Sequence, residues 1–246
     1  MTKPSSICLA LLLTACFEND DSELEARLDA VEASNADLQA QVTEIDDLRD
    51  QLDTLQSQLD ATNAYVSVLE DHLQVDEAEH SLTVHGANLF IQSGAGATDA
   101  DVNGFGNLII GYNTFSPDSS GSHNLVVGDR NAYSSYGSVV FGDRNTVSSP
   151  NSSILGGSNS TITAERSVVV GGSGHDITAT AAIIVGGASN TMESENGVIL
   201  GGQANVATND DGAIVVGGVQ NTSSHRDSVV LGGQNNSSSA DYGVTP

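Results

Sequence analysis

The chain of 246 residues has no tryptophan, two cysteines and a single lysine, Lys3. Aromatic residues are scarce, at five tyrosines and five phenylalanines, so large ring anchors cannot dominate a core. Basic side chains number seven against 32 acidic ones, for a formal net charge of −25. Such a surface repels phosphate backbones and anionic head groups, which argues against nucleic acid as a partner. Both cysteines, Cys8 and Cys16, lie near the start, so no disulfide framework is available to the rest of the chain. No apolar run reaches the ~20 residues of a spanning helix. The six histidines (His72, His80, His85, His123, His175 and His225) show no metal-ligand spacing, and no serine sits in a nucleophile elbow. Gly171-Gly172-Ser173-Gly174-His175-Asp176 matches the start of a calcium-binding β-roll repeat, but only once. Thr161 and Thr163 are not repeated coil after coil, which argues against a flat threonine face. A non-enzymatic protein without cofactor or metal is expected.

What is there begins with Ile7–Leu13, a short apolar run after Lys3 that fits a secretory signal. It leads into Leu13-Thr14-Ala15-Cys16, which resembles the bacterial lipobox. That resemblance implies cleavage before Cys16, lipidation of Cys16 and stable membrane anchoring through its acyl chains. Phe17 follows, with no aspartate to signal inner-membrane retention, so an outer-membrane location is expected.

Residues 24–73 carry a heptad seam at Leu24, Leu28, Val31, Asn35, Leu38, Val42, Ile45, Leu48, Leu52, Leu55, Leu59, Val66 and Leu69, ending at Leu73. Val42, Ile45 and Leu48 are spaced by two threes in a row, a local overwinding. No glycine or proline interrupts the segment. A coiled-coil stalk of ~50 residues, about 75 Å long, is predicted, with Asn35 setting the register between chains.

After the stalk comes a period. Glycines stand at Gly111, Gly128, Gly142, Gly156, Gly171, Gly186, Gly201, Gly217 and Gly232, 14 to 17 residues apart, and an apolar triplet precedes nearly every one. Leu125-Val126-Val127, Val168-Val169-Val170 and Ile214-Val215-Val216 are examples. A short, regular period marks a solenoid. β-branched residues make the triplets strands, whose side chains alternate between faces. Three apolar residues in a row therefore supply both an interior and an exposed stripe, and the stripe asks for a second covering layer. The glycines are read as turn positions. Asn131, Asn145, Asn159, Asn190, Asn205, Asn221 and Asn236 follow three or four residues later and are read as a hydrogen-bonded ladder, with His175 or Asp176 in that place after Gly171.

The predicted organisation is a signal peptide over 1–15, a linker over 16–23, the stalk over 24–73, a neck over 74–110, a repeat head over 111–240 and a tail over 241–246. In the neck, Val84, Leu89, Phe90 and Ile91 suggest short strands. Seven aromatics cluster between Phe90 and Phe141, and are expected to pack where the stalk widens into the head; a binding patch is the alternative.

The coils resemble the head repeats of trimeric autotransporter adhesins, the YadA-type head. Gly106-Asn107-Leu108-Ile109-Ile110-Gly111-Tyr112-Asn113 and Gly121-Ser122-His123-Asn124-Leu125-Val126-Val127-Gly128-Asp129 are also similar to coils of haemagglutinin-like bacterial surface proteins. The resemblance covers roughly residues 104–240. It implies a mainly β protein: a left-handed parallel β-roll, here with coils of ~14–16 residues, in which three chains pack side by side. That family is anchored by a C-terminal β-barrel. No alternating amphipathic strands for a barrel precede Pro246, so anchoring is expected at the lipidated Cys16. The function these readings imply is a lipid-anchored homotrimeric adhesin binding a host, glycan or matrix ligand; the alternative is an envelope spacer with no specific ligand.

Overall fold

A computed structural model describes the backbone of residues 6–209 and 211–246, and side chains from residue 22 onward with the exception of 210. The Cys16 side chain and the first five residues of the expected signal segment lie outside the described residues. The chain divides into two units, Met1–Leu89 and Phe90–Pro246.

The first unit is one long helix and a hairpin. Helix α1 spans Ser6–Glu70, a stretch free of glycine and containing no proline. From Leu24 to Leu69, the apolar seam residues are 43–65% exposed within the single chain. A helix with a continuous unburied apolar stripe draws little stability from its own chain, because tertiary packing is what normally stabilises an amphipathic helix. The helix stops short of the predicted end. Asp71 and His72 turn, and Leu73 enters strand β1 (Leu73–Asp76), which pairs antiparallel with β2 (Ser81–Val84). Asp76 Oδ1 accepts the backbone N–H groups of Ala78 and Glu79 at 2.9 and 3.0 Å, which folds the hairpin tip. Val84 is in a strand as expected. Leu89, Phe90 and Ile91 are not, and all three are exposed.

The second unit is a parallel β-solenoid of about nine turns. Its long sheet has ten strands, from Leu108–Ile110 and Leu125–Asp129 through Val168–Val170 and Ile183–Val185 to Val244–Thr245. Every triplet pairs in register with the next: Val168 with Ile183, Ile183 with Val198, Ile214 with Val229. Val229 pairs with Val244, so residues 241–246, expected as a tail, hold the last strand instead. The opposite sheet has seven two-residue strands, from Ala132–Tyr133 to Thr222–Ser223, also parallel. The polar half of each coil, read as a strand or turn, supplies these strands.

The two sheets face each other across a thin interior. The middle residue of each triplet points in: Val126, Val140, Ile154, Val169, Ile184, Ile199, Val215 and Val230 are fully buried. Facing them from the second sheet stand Tyr133, Val147, Ile162, Ile177, Met192, Ala207, Ser223 and Ser238, all buried. The facing column thus runs from an aromatic ring to hydroxyls along the stack. Burying each aliphatic side chain contributes about 1.5–3 kcal/mol.

Extra residues are absorbed at turns. The register between the Val139–Asp143 and Ser153–Ser158 strands shifts between Phe141 and Asp143, where a single glycine gives way to the pair Gly156-Gly157. A later one is absorbed between Ala207 and Ala213, since Thr191 pairs with Val206 but Val206 with Thr222.

Candidate functional site

Repetition makes the candidate site a set of columns and faces rather than a pocket. The first column is glycine. At Gly187 (φ +87°) an added Cβ would strike the Gly202 carbonyl oxygen and the Asn190 amide, and Gly172 meets Gly187 in the same way. The same stack includes Gly128, Gly142, Gly157, Gly202 and Gly218. Where glycines come in pairs, the sequence reading singled out the first of each. Gly156, Gly171, Gly186, Gly201, Gly217 and Gly232 do lie at positive φ, but their Cβ positions meet nothing closer than 3.5 Å. The second glycine of each pair carries the steric constraint, and Gly111, Gly128 and Gly142 carry it where the glycine is single.

The second column is the amide ladder. Each rung side chain accepts the backbone N–H of the next rung. Asn131 Oδ1 takes Asn145 N–H at 3.1 Å, Asn190 takes Asn205 at 2.9 Å, Asn205 takes Asn221 at 2.9 Å and Asn221 takes Asn236 at 2.9 Å. The amide nitrogens donate to carbonyls of their own turn and the next. Asn205 Nδ2 reaches Gly201 O and Gly218 O, both at 3.1 Å. Most rungs are buried, so each amide satisfies backbone groups that would otherwise be orphaned. Asn159 is not a rung. Its Oδ1 accepts from Arg144 Nε at 3.0 Å on the outside, and its backbone is left-handed (φ +55°). Ser160 holds the rung instead: its backbone N–H donates to Asn145 Oδ1 at 3.0 Å, and its Oγ accepts the His175 N–H at 3.2 Å. Of the two candidates after Gly171, His175 is the rung and Asp176 points outward.

A second buried ladder escaped the sequence reading. It stands one residue before the triplets of the earlier coils and is interrupted where Ala182, Gly197 and Ala213 hold that place. Asn107 accepts from Asn124 N–H at 2.8 Å, Asn124 from Ser138 at 2.9 Å, Ser152 from Ser167 and Ser167 from Ala182 at 3.2 Å. The signal was a small polar residue ahead of the aliphatic run.

Two outward faces remain. On the long sheet, the third residue of the triplets is exposed: Leu155, Val170, Val185, Leu200, Val216 and Leu231 at 39–51%. This is the apolar stripe expected from three apolar residues in a row. The second sheet presents hydroxyls. Thr146, Thr161, Thr191 and Thr222 stand in one outward column, joined by Asp176 and Val206. Ser134, Ser148, Thr163, Thr178, Thr208 and Ser224 stand in the next, joined by Glu193. As read from sequence, threonine is not repeated coil after coil, since Asp176 and Val206 interrupt the Thr161 column and Glu193 the Thr163 column, but hydroxyls recur along both. The aligned residues differ in type from coil to coil, which hides the column in the linear order.

At the first coils, charge concentrates on two stacked turns, Asp129-Arg130 and Asp143-Arg144. Arg130 lies 2.9 Å from Asp143, and Arg144 lies 2.9 Å from the same carboxylate. The Thr114 hydroxyl and N–H bond Asp129, and with Arg130 they hold its carboxyl below the usual range. Next to these turns Tyr112 and Phe115 are 94% and 92% exposed, and Phe90 and Phe105 are exposed too. Of the aromatics expected to pack, Tyr133 is buried and these four are not. The 111–121 loop is held by hydroxyl and amide bonds, such as Ser116 Oγ to Asn131 O at 2.7 Å, and needs no ring to fill it.

Among the described residues no group of three side chains could hold a metal ion, and no helix is long and apolar enough to cross a membrane. The fold and its faces define a parallel β-solenoid protein with a long helical segment. Comparison with protein-family models, curated proteins and solved structures finds no match.

Proposed function

We propose that the protein is a lipid-anchored surface fibre of the bacterial outer membrane that acts as a homotrimeric adhesin. In this reading Cys16 carries the lipid, α1 is the coiled-coil stalk, and the second unit is a left-handed β-roll head with coils of about 14–16 residues. The observation that carries it is the unburied aliphatic stripe on the long sheet, Leu155 to Leu231. Covering half of six such side chains contributes roughly 5–9 kcal/mol per chain before association costs. The exposed heptad seam of α1 favours the same association, with chains aligned before their heads meet. The hydroxyl face of the second sheet then stays outward. It is repetitive and carries only Asp176 and Glu193 as charges in its two columns, which suits an uncharged, hydroxyl-rich surface such as glycan.

Light scattering on residues 17–246 tests the assembly. Three chain masses are expected, and a stable monomer at micromolar concentration removes the reading. Val185→Asp combined with Val216→Asp should weaken association of the heads while leaving the β-sheet circular dichroism intact, because both side chains point away from the core. In the seam, Leu52→Lys with Leu55→Lys should lower the helical signal and the mass together. Binding of the purified protein to glycan or matrix arrays supports adhesion. Inertness on such arrays, with an envelope-spacing defect on deletion, favours a spacer.

A further inference from the structure

One rung of the amide ladder can titrate. His175 is 1% exposed and stands between Ser160 and Asn190. Its backbone N–H donates to Ser160 Oγ at 3.2 Å, and its ring Nδ1 accepts the Asn190 N–H at 3.3 Å. That acceptance requires a bare Nδ1, so the neutral ring carries its proton on Nε2. Nε2 is buried without a well-formed hydrogen bond, under the stacked glycines, where a Cβ on Gly172 would strike it. Asparagine and serine rungs serve the same backbone donor with an oxygen that never gains a proton in this range.

The surroundings offer an imidazolium no counter-charge. Ser160, Asn190 and the Gly172 and Gly187 backbones face the ring. The carboxylates on its own and the next strand, Asp176 and Glu193, and Glu165 and Arg166 on the preceding turn, are exposed. No charged side chain contributes to the ring's titration. Desolvation by burial holds its pKa below the ordinary 6.5, against a smaller opposing effect of the Gly187 backbone.

We propose that His175 is an acid-sensitive joint, at which protonation of Nδ1 removes the acceptor for Asn190 and parts the coil of Val169 from the coil of Ile184. The sign follows from linkage. The folded form prefers the neutral ring, so this part of the stability is complete above the unfolded pKa of about 6.5 and is lost as pH falls through it toward the lower folded value. The other rungs are insensitive, which confines the opening to the middle of the stack.

Amide hydrogen exchange on the purified protein from pH 7.5 to 5.5, corrected for intrinsic rates, tests this. Protection at Thr178 and Asn190, whose N–H groups bond across that junction to Met192 O and His175 Nδ1, should fall as pH drops below 6.5, by up to about tenfold per pH unit, relative to the same amides in His175→Asn. Equal pH slopes in the two proteins would overturn the proposal. Should the variant fail to fold, the His175 ring resonance and the Asn190 amide decide it in the unmodified protein. A depressed pKa with exchange that rises together on acidification supports the joint, and an ordinary pKa with unchanged protection sinks it.

Discussion

Gly187→Ala is expected to destabilise the solenoid by about 2–5 kcal/mol, the sum of left-handed strain and overpacking. The methyl group would meet both the Gly202 carbonyl and the Asn190 amide, and neither is the free end of a flexible side chain. Relief would require the coils to separate, at the expense of the bonds from Ala188 N–H to Gly202 O and from Asn205 N–H to Asn190 Oδ1 (both 2.9 Å). Gly186→Ala is the control. Its backbone is also left-handed (φ +66°), yet nothing lies within 4 Å of the added carbon. Strain alone predicts a loss of about 1–2 kcal/mol there. Urea denaturation midpoints of the two variants separate the effects; equal losses would mean that the stacked contact carries no steric penalty.

Asn205→Asp should cost a similar amount at pH 7, about 3–5 kcal/mol, because it leaves a buried charge without a partner. One carboxylate oxygen can still accept the Asn221 N–H. The other would face Gly201 O and Gly218 O, two carbonyls that now receive an N–H at 3.1 Å. A carboxyl so placed has its pKa raised in the folded state. Its penalty is therefore small below the unfolded pKa of about 3.9 and grows as pH rises toward the folded value. Asn205→Ser should lose less, about 1–3 kcal/mol, since Ser160 is already a hydroxyl rung. Denaturation of both variants at pH 4.5 and 7 checks the ordering, and an aspartate variant indifferent to pH would contradict it.

The solenoid was legible because its signal is a period, and a period survives changes of individual residues. Triplets such as Val168-Val169-Val170 declare strands by β-branching alone, and they pair as their alignment suggests. Which glycine of a pair is stacked was not legible, since both open the same turn and only the next coil's carbonyl distinguishes them. One miscount led to another. Measured from the stacked glycine, the rung is always the third residue on: Asn145 from Gly142, Ser160 from Gly157, His175 from Gly172, Asn205 from Gly202. Measured from Gly156 instead, the count lands on Asn159. The hydroxyl columns were hidden for a different reason. Outward positions are constrained by nothing inside the coil, so Thr161 is followed by Asp176, and then Thr191 by Val206. The Tyr112 and Phe115 rings defeated an expectation of packing because the loop that bears them is secured by polar bonds.

The interior of the second sheet changes from Tyr133 through Ile177 and Met192 to Ala207 and Ser223. Identical coils would let the winding slip by one turn and lose almost nothing. Here most floors differ in cross-section, so a displaced thread would press an isoleucine into room made for an alanine, or leave a void where a ring belongs. The gradient numbers the floors, and a polymer of near-equal repeats thereby acquires a single way to be wound.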